Sequence, residues 1–255
     1  MRYCEDMPSV SESAMPAGAC TGPAAFAARF AVSPETLARL ERYERVLRQW
    51  QPAVNLVANG TLAQVWQRHF ADSAQLLSLA PTDAHTWLDL GSGGGFPGLV
   101  IAILLADGRD RQDRRDASAA GGPPAKAMSP PPVTLIESDA RKAAFLREVA
   151  RHAGIAVDIL STRIELAATH ATVPRPDVVT ARALAPLDKL LGLAAPFFSK
   201  RSIGLFLKGR EAVREVEAAR KVWIFNSELI RSCTDPKAHI VRVSALEPNR
   251  KEPRS

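Results

Sequence analysis

"LDLGSGGGFPG", residues 88–98, sets five glycines and a proline into eleven positions directly behind an apolar run. So many residues without side chains are expected where something must approach the backbone closely. The candidates are a dinucleotide, a nucleoside triphosphate or another nucleoside cofactor. A triphosphate loop needs Lys followed by Ser or Thr after its last glycine, and neither follows Gly98. Counted from Gly93, "GGGFPG" satisfies the dinucleotide pattern G-x-G-x-x-G formally. That frame starts two residues further from the strand and puts Pro97 inside the turn, so it is a weak match.

The surrounding chain has 255 residues, 46% hydrophobic and 24% charged, the proportions of an ordinary globular protein. Its length suits one domain with a small appendage. The longest apolar run, Leu99 to Ala106, falls far short of the roughly 20 residues of a membrane helix. The N-terminus carries acidic residues and no apolar h-region, so no signal peptide is expected. Cys4, Cys20 and Cys233 are widely spaced and form no CxxC pair. That argues against a disulfide framework or a metal site and for a reducing, cytoplasmic setting. A net charge of +6 tilts the expectation toward a polyanionic partner without identifying it.

Residues 1–30 are rich in Ala, Ser, Gly and Pro and read as a disordered tail. Residues 31–80 read as a small N-terminal helical cap. Ser33 and Pro34 open its first helix as N-cap and first helical residue. Leu37, Leu40, Tyr43, Leu47 and Trp50 follow at helical spacing. A second helix runs from Thr61 through Leu77, with a break near Asp72. Residues 81–255 then alternate short apolar strands with helices near 97–106, 139–152 and 186–199. The strands are "HTWLDL", "PVTLIES", "IAVDIL", "PDVVTA" and "SIGLFLKG". This alternation predicts a doubly wound α/β sheet, mostly parallel and covered on both faces. "KVWIFNSELIRSC" and "AHIVRVSAL" add an antiparallel edge. Residues 107–132, with five prolines and interleaved Asp and Arg, read as an exposed, flexible insertion.

The better frame for the loop is Asp89-x-Gly91-x-Gly93-x-Gly95, with Pro97 starting the next helix. An acidic residue followed by glycines after the first strand is the pattern of S-adenosylmethionine (SAM) methyltransferases. SAM has no pyrophosphate to seat on a helix N-terminus. It offers a zwitterionic tail and a sulfonium that a flat glycine loop contacts through backbone and a nearby carboxylate. Glu137 ends the second strand, where a carboxylate accepts hydrogen bonds from ribose hydroxyls. It lies 46 residues beyond Gly91, or 20 once the 26-residue insertion is set aside, the spacing expected of such a unit.

Several further stretches occur in the order seen in the RsmG (GidB) family, which the chain resembles from about residue 33 to 225. They are "NLVANGTLAQVWQRHFADS", "LIESDARKAAFLRE", "STRIE", "TARALAPL" and "LFLKG". The resemblance implies a Rossmann-like class I methyltransferase that uses SAM to methylate N7 of a guanine in the decoding region of 16S ribosomal RNA. It implies SAM contacts at Gly91 and Phe96, adenine contacts at Ile164 and Glu165, and a site arginine at Arg182. Glu137 stands where the family more often has Asp. Asn55, Arg68, His69, Asp72 and Ser73 match its "NL…RHxxDS" signature, and Lys208 its "LKG". The chain departs from the family in its Pro-rich insertion and in "VNLVA" for "YNLT", which leaves Asn55 as the polar survivor there.

Guanine N7 presents an unprotonated lone pair, so attack needs positioning rather than a general base. "TARALAP" lacks both the Asn/Asp-Pro-Pro-aromatic motif used on exocyclic amines and the cysteine used on pyrimidine carbons. Arg182 is the expected catalytic positioner, with Asn55 as a second candidate. Asp89, Gly91, Gly93, Gly95, Phe96, Glu137, Ile164, Glu165 and Arg182 are the expected SAM set. Arg68, His69, Lys200, Arg201, Lys208 and Arg210 are the expected RNA contacts. The partner expected is 16S rRNA, free or in the small subunit; the chain reads as a monomer with no obligate protein partner. Two other readings stay open: an NAD-dependent oxidoreductase and a non-catalytic SAM- or RNA-binding protein.

Overall fold

The computed structural model of the chain describes residues 10–11, 19–107, 132–169, 173 and 175–249. One sheet holds β1 (Val10–Ser11), β2 (Trp87–Leu90), β3 (Val133–Ile136), β4 (Asp158–Leu160), β5 (Val178–Arg182), β6 (Ile203–Lys208), β7 (Trp223–Arg231) and β8 (His239–Pro248). Its spatial order is β1-β7-β8-β6-β5-β2-β3-β4. Strands β2 to β6 pair in parallel, while β8 runs antiparallel to β6 and β7. The helices are α1 (Pro23–Phe30), α2 (Pro34–Trp50), α3 (Asp72–Ala74), α4 (98–107), α5 (Ala140–Ala153), α6 (Ile164–Ala167), α7 (Leu187–Ala194) and α8 (Ala212–Ala219).

Strands β2 and β3 are buried along their whole length because helices cover both faces of the sheet. On one face, Phe26, Tyr43, Phe70, Leu99 and Phe145 form a continuous core. On the other, Leu187, Leu191, Phe206 and Val216 do the same. The chain winds from β2 through β3 to β4 in one direction and from β5 to β6 in the other. The crevice therefore opens at the carboxyl ends of the adjacent strands β2 and β5, where doubly wound sheets bind ligands.

The expected tail is partly wrong. Residues 23–30 are helical, and Val10–Ser11 pair in parallel with β7. Aromatics dock α1: Phe26 is fully buried, its ring 5.5 Å from Trp66 and 4.6 Å from Phe30, which packs on the same core. Burying one phenylalanine contributes about 2 kcal/mol, a tertiary term that the Ala-rich composition conceals. Ser33 caps α2 as expected, accepting the N–H of Thr36 at 3.1 Å. The second cap helix is irregular. Two 3-10 turns, Asn59–Gln64 and Gln75–Leu79, enclose a π turn at Trp66–Ala71 and the single turn α3. Helices α6 and α8 were not expected. Most of the insertion, residues 108–131, lies outside the described residues.

Candidate active site

The glycine loop is held from below and from one side. Asp89, buried near the end of β2, accepts the Thr180 hydroxyl at 2.8 Å and the Gly98 N–H at 3.3 Å. It thereby ties β2 to β5 and to the start of α4, and burial raises its pKa to about 6. Gly91, Gly93 and Gly95 have φ of 64°, 53° and 84°, the left-handed region that favours glycine. At Gly95 a Cβ would come within 2.5 Å of Tyr43 Oη and of Leu99 Cδ1. Tyr43, from α2, donates its hydroxyl to the carbonyl of Gly94 and stacks on Phe96 at 5.1 Å. The helical cap is thus part of the wall behind the loop.

In front of the loop is a cavity of about 560 Å³, lined by Gly91–Gly94, Phe96, Glu137, Ile164, Glu165, Arg182 and Leu184 among others. Glu137 anchors it. Its Oε2 accepts the Gly93 N–H at 2.7 Å and its Oε1 the Asp139 N–H at 2.8 Å. Each carboxylate oxygen retains capacity for a further donor. Around Gly93 the nearest atom to an added Cβ is the Gly91 carbonyl at 3.8 Å, so the cradle is open there. An apolar side chain (Ile164), a bidentate acceptor and exposed loop backbone together suit a nucleoside with a free ribose.

Arg182 stands at the end of β5 and lines both this cavity and a larger one of about 650 Å³. Its Nη1 donates to the Arg68 carbonyl at 3.1 Å and lies 2.7 Å from Nδ1 of His69. Its guanidinium covers the Phe96 ring at 5.0 Å and faces Asp72 at 3.9 Å. His69 stacks on Phe96 at 4.9 Å. Burial and the charges of Arg182 and Arg68 push its pKa down to about 3. Burial raises that of Asp72, whose Oδ1 also accepts the Thr234 hydroxyl at 2.7 Å. Arg68 pairs with Asp235 at 2.8 Å. These bonds dock the turn between β7 and β8 onto the π turn, a feature frequent at functional sites.

A family model described as rRNA small subunit methyltransferase G matches residues 36–115 and 123–241. The chain belongs to this family. "Ribosomal RNA small subunit methyltransferase G" of Parvibaculum lavamentivorans is 48% identical, covering 87% of this chain and 88% of that protein. The protein of the same name from Rhodospirillum centenum is 48% identical over 88% and 90%. Among solved structures, an O-methyltransferase from Bacillus cereus in complex with SAH aligns at TM-score 0.50 and 12% identity. It covers 80% of this chain and 90% of that one, a likeness of fold alone. Family membership sets aside the oxidoreductase reading of "GGGFPG".

Within this family framework the expected residues divide. Gly91, Gly93, Phe96, Glu137, Ile164, Glu165 and Arg182 share the smaller cavity, joined by Gly94 and Leu184, which sequence reasoning missed. Asp89 and Gly95 do not line it: one lies beneath the loop, the other against Tyr43. Asn55 is exposed and lines a separate depression with Arg48 and Gln51, because the turn after α2 points its side chain outward and Leu56 inward. Arg68, His69 and Lys208 line the larger cavity. Arg210 is exposed just beyond β6. Lys200 and Arg201 sit at the opposite, amino edge of β6, with Arg201 paired to Asp83 at 2.9 Å. The length of that strand, about 20 Å, separates them from Lys208. Among the described residues, no cluster of His, Cys, Asp and Glu suits a metal ion, and no helix is long and apolar enough to cross a membrane.

Proposed function

We propose that the chain transfers the methyl group of SAM to N7 of a guanine in small-subunit rRNA, and does so in the cytoplasm. The observation that carries this reading is the pair of cavities meeting at Arg182: one of about 560 Å³ between the glycine loop and Glu137, and one of about 650 Å³ beside it, large enough for a flipped base. Bound SAM supplies a methyl group on a sulfonium, the electrophile. Glu137 would accept the ribose hydroxyls and Ile164 would pack on the adenine, with the glycine loop backbone toward the amino-acid tail. Leu56, Ala183 and Leu184, shared by the two cavities, give the passage between them an apolar wall. Arg182, which lines both cavities, would position the incoming base edge at their junction.

Guanine N7 already carries a free lone pair, so no proton would have to leave before attack. The site matches that requirement. Both ring nitrogens of His69 are engaged, Nδ1 by Arg182 and Nε2 by Thr61 at 2.8 Å, so the histidine is no free base. Exocyclic amines must lose a proton during methylation, and this arrangement does not favour them.

Small subunits from cells lacking the enzyme, incubated with the protein and labelled SAM, should acquire one label, mapped by mass spectrometry to guanine N7. Label on a pyrimidine or an exocyclic amine would refute the chemistry. No label, together with micromolar SAM binding, would favour a non-catalytic sensor.

A further inference from the structure

The larger cavity has one polar edge that the mechanism above does not use. Lys208, at the end of β6, is 8% exposed in its side chain. Its Nζ donates to the Ala185 carbonyl at 2.6 Å and lies 2.8 Å from Oε2 of Glu215 on α8. That same oxygen accepts the Leu187 N–H at 2.8 Å. Oε1 of Glu215 has no hydrogen-bond partner among the described residues, and both side chains line the cavity. A lysine so enclosed is not a surface tether for phosphate. The wall instead carries, side by side, an ammonium that only donates and a carboxylate oxygen that only accepts.

We propose that Lys208 and Glu215 identify the target base, Lys208 donating to guanine O6 and Glu215 Oε1 accepting from N1–H. This rests on the N7 reading above. The order of the two groups carries the argument. From Arg182, at the junction with the cofactor cavity, the chain runs through Ala185, which holds Lys208, to Leu187, which holds Glu215. Around a purine whose N7 faces that junction, the substituent at C6 comes next and N1 after it. Guanine presents an acceptor and then a donor, the complement of ammonium and then carboxylate. Adenine in the same pose sets amine hydrogens against the ammonium and a lone pair against the carboxylate. Sites built on buried hydrogen-bonding groups reject such mismatches strongly. The 2-amino group of guanine takes no part in this pair, so hypoxanthine should pass.

The test uses small subunits reconstituted with rRNA carrying guanine, inosine or adenine at the mapped position. The wild-type protein should label inosine within about 10-fold of guanine and adenine more than about 1,000-fold less. In Glu215→Gln the two donors keep the amide oxygen and leave the NH₂ facing N1–H. That variant should lose about 100-fold or more in kcat/KM on guanine and bind SAM with unchanged affinity by calorimetry. Comparable labelling of adenine by the wild type, or full activity of Glu215→Gln, overturns base reading while leaving the methyltransferase reading standing. Failure of the wild type to label N7 of the guanine subunits overturns both.

Discussion

Nη1 of Arg182 lies 2.7 Å from Nδ1 of His69, and that contact fixes the proton on the far side of the ring. A guanidinium can only donate, so Nδ1 presents its lone pair and Nε2 carries the hydrogen. The Nε2–H then donates to Thr61 Oγ1 at 2.8 Å, and the Thr61 hydroxyl passes its own hydrogen to the Ala58 carbonyl at 2.7 Å. One chain of oriented bonds thus runs from the irregular cap segment to the arginine at the junction of the two cavities.

NMR of the ring nitrogens should find His69 as the neutral Nε2–H tautomer from pH 8 down to about pH 4, consistent with a pKa near 3. A titration midpoint near the ordinary histidine value of about 6.5 would contradict the bond directions. Linkage supplies a second reading. Below about pH 6.5 the unfolded histidine takes up a proton that the folded one refuses until about pH 3. The contribution of His69 to stability should therefore fall in that window as pH falls, against the opposite trend of Asp89, whose buried carboxyl takes up its proton near pH 6, and His69→Gln should remove the first trend alone in denaturant melts.

Arg182→Ala should lose about 100-fold or more in turnover, the scale of a displaced positioning group, with an unchanged circular dichroism spectrum. Arg182→Lys should not rescue it, because a single ammonium cannot reach the Arg68 carbonyl and His69 Nδ1 while covering the Phe96 ring. Near-normal turnover in either variant would remove Arg182 from the site.

Two glycine substitutions should separate strain from crowding. Gly93→Ala meets only the Gly91 carbonyl at 3.8 Å and should cost about 1 kcal/mol for its left-handed backbone. Gly95→Ala adds a methyl 2.5 Å from Tyr43 Oη and Leu99 Cδ1 and should cost about 3 kcal/mol or more. Equal denaturation midpoints for the two would show that α2 does not press on the loop as described.

Both oxygens of Glu137 accept backbone N–H groups, so acceptor count outweighs shape at this position. Glu137→Gln presents an amide NH₂ to one of those donors and should weaken SAM binding by about 10- to 100-fold. Glu137→Asp, with two acceptor oxygens, should lose less. Calorimetry with SAM gives the comparison, and the reverse ranking would sink this account of the loop.

Fold class and glycine loop were legible along the chain because both are written in local terms. Apolar runs of strand length, helical spacing and glycines that permit left-handed turns each act within a few residues. The spacing to Glu137 was readable once the insertion was set aside. Short helices such as α6 and α8, four and eight residues long, escaped, and α1 did so because its phenylalanines dock it on the core.

Side-chain direction was not legible. Sequence alone settled that a glycine loop follows a buried strand, that a carboxylate ends the next one, and that an arginine ends β5. Tertiary structure decided that Asp89 points under the loop, that Asn55 points away, and that Lys200 and Lys208 occupy opposite edges of the sheet. It also brought Glu215 to Lys208 and Thr61 to His69. Those outcomes depend on which partners burial leaves within hydrogen-bond reach, and the partners come from elements far apart in the chain.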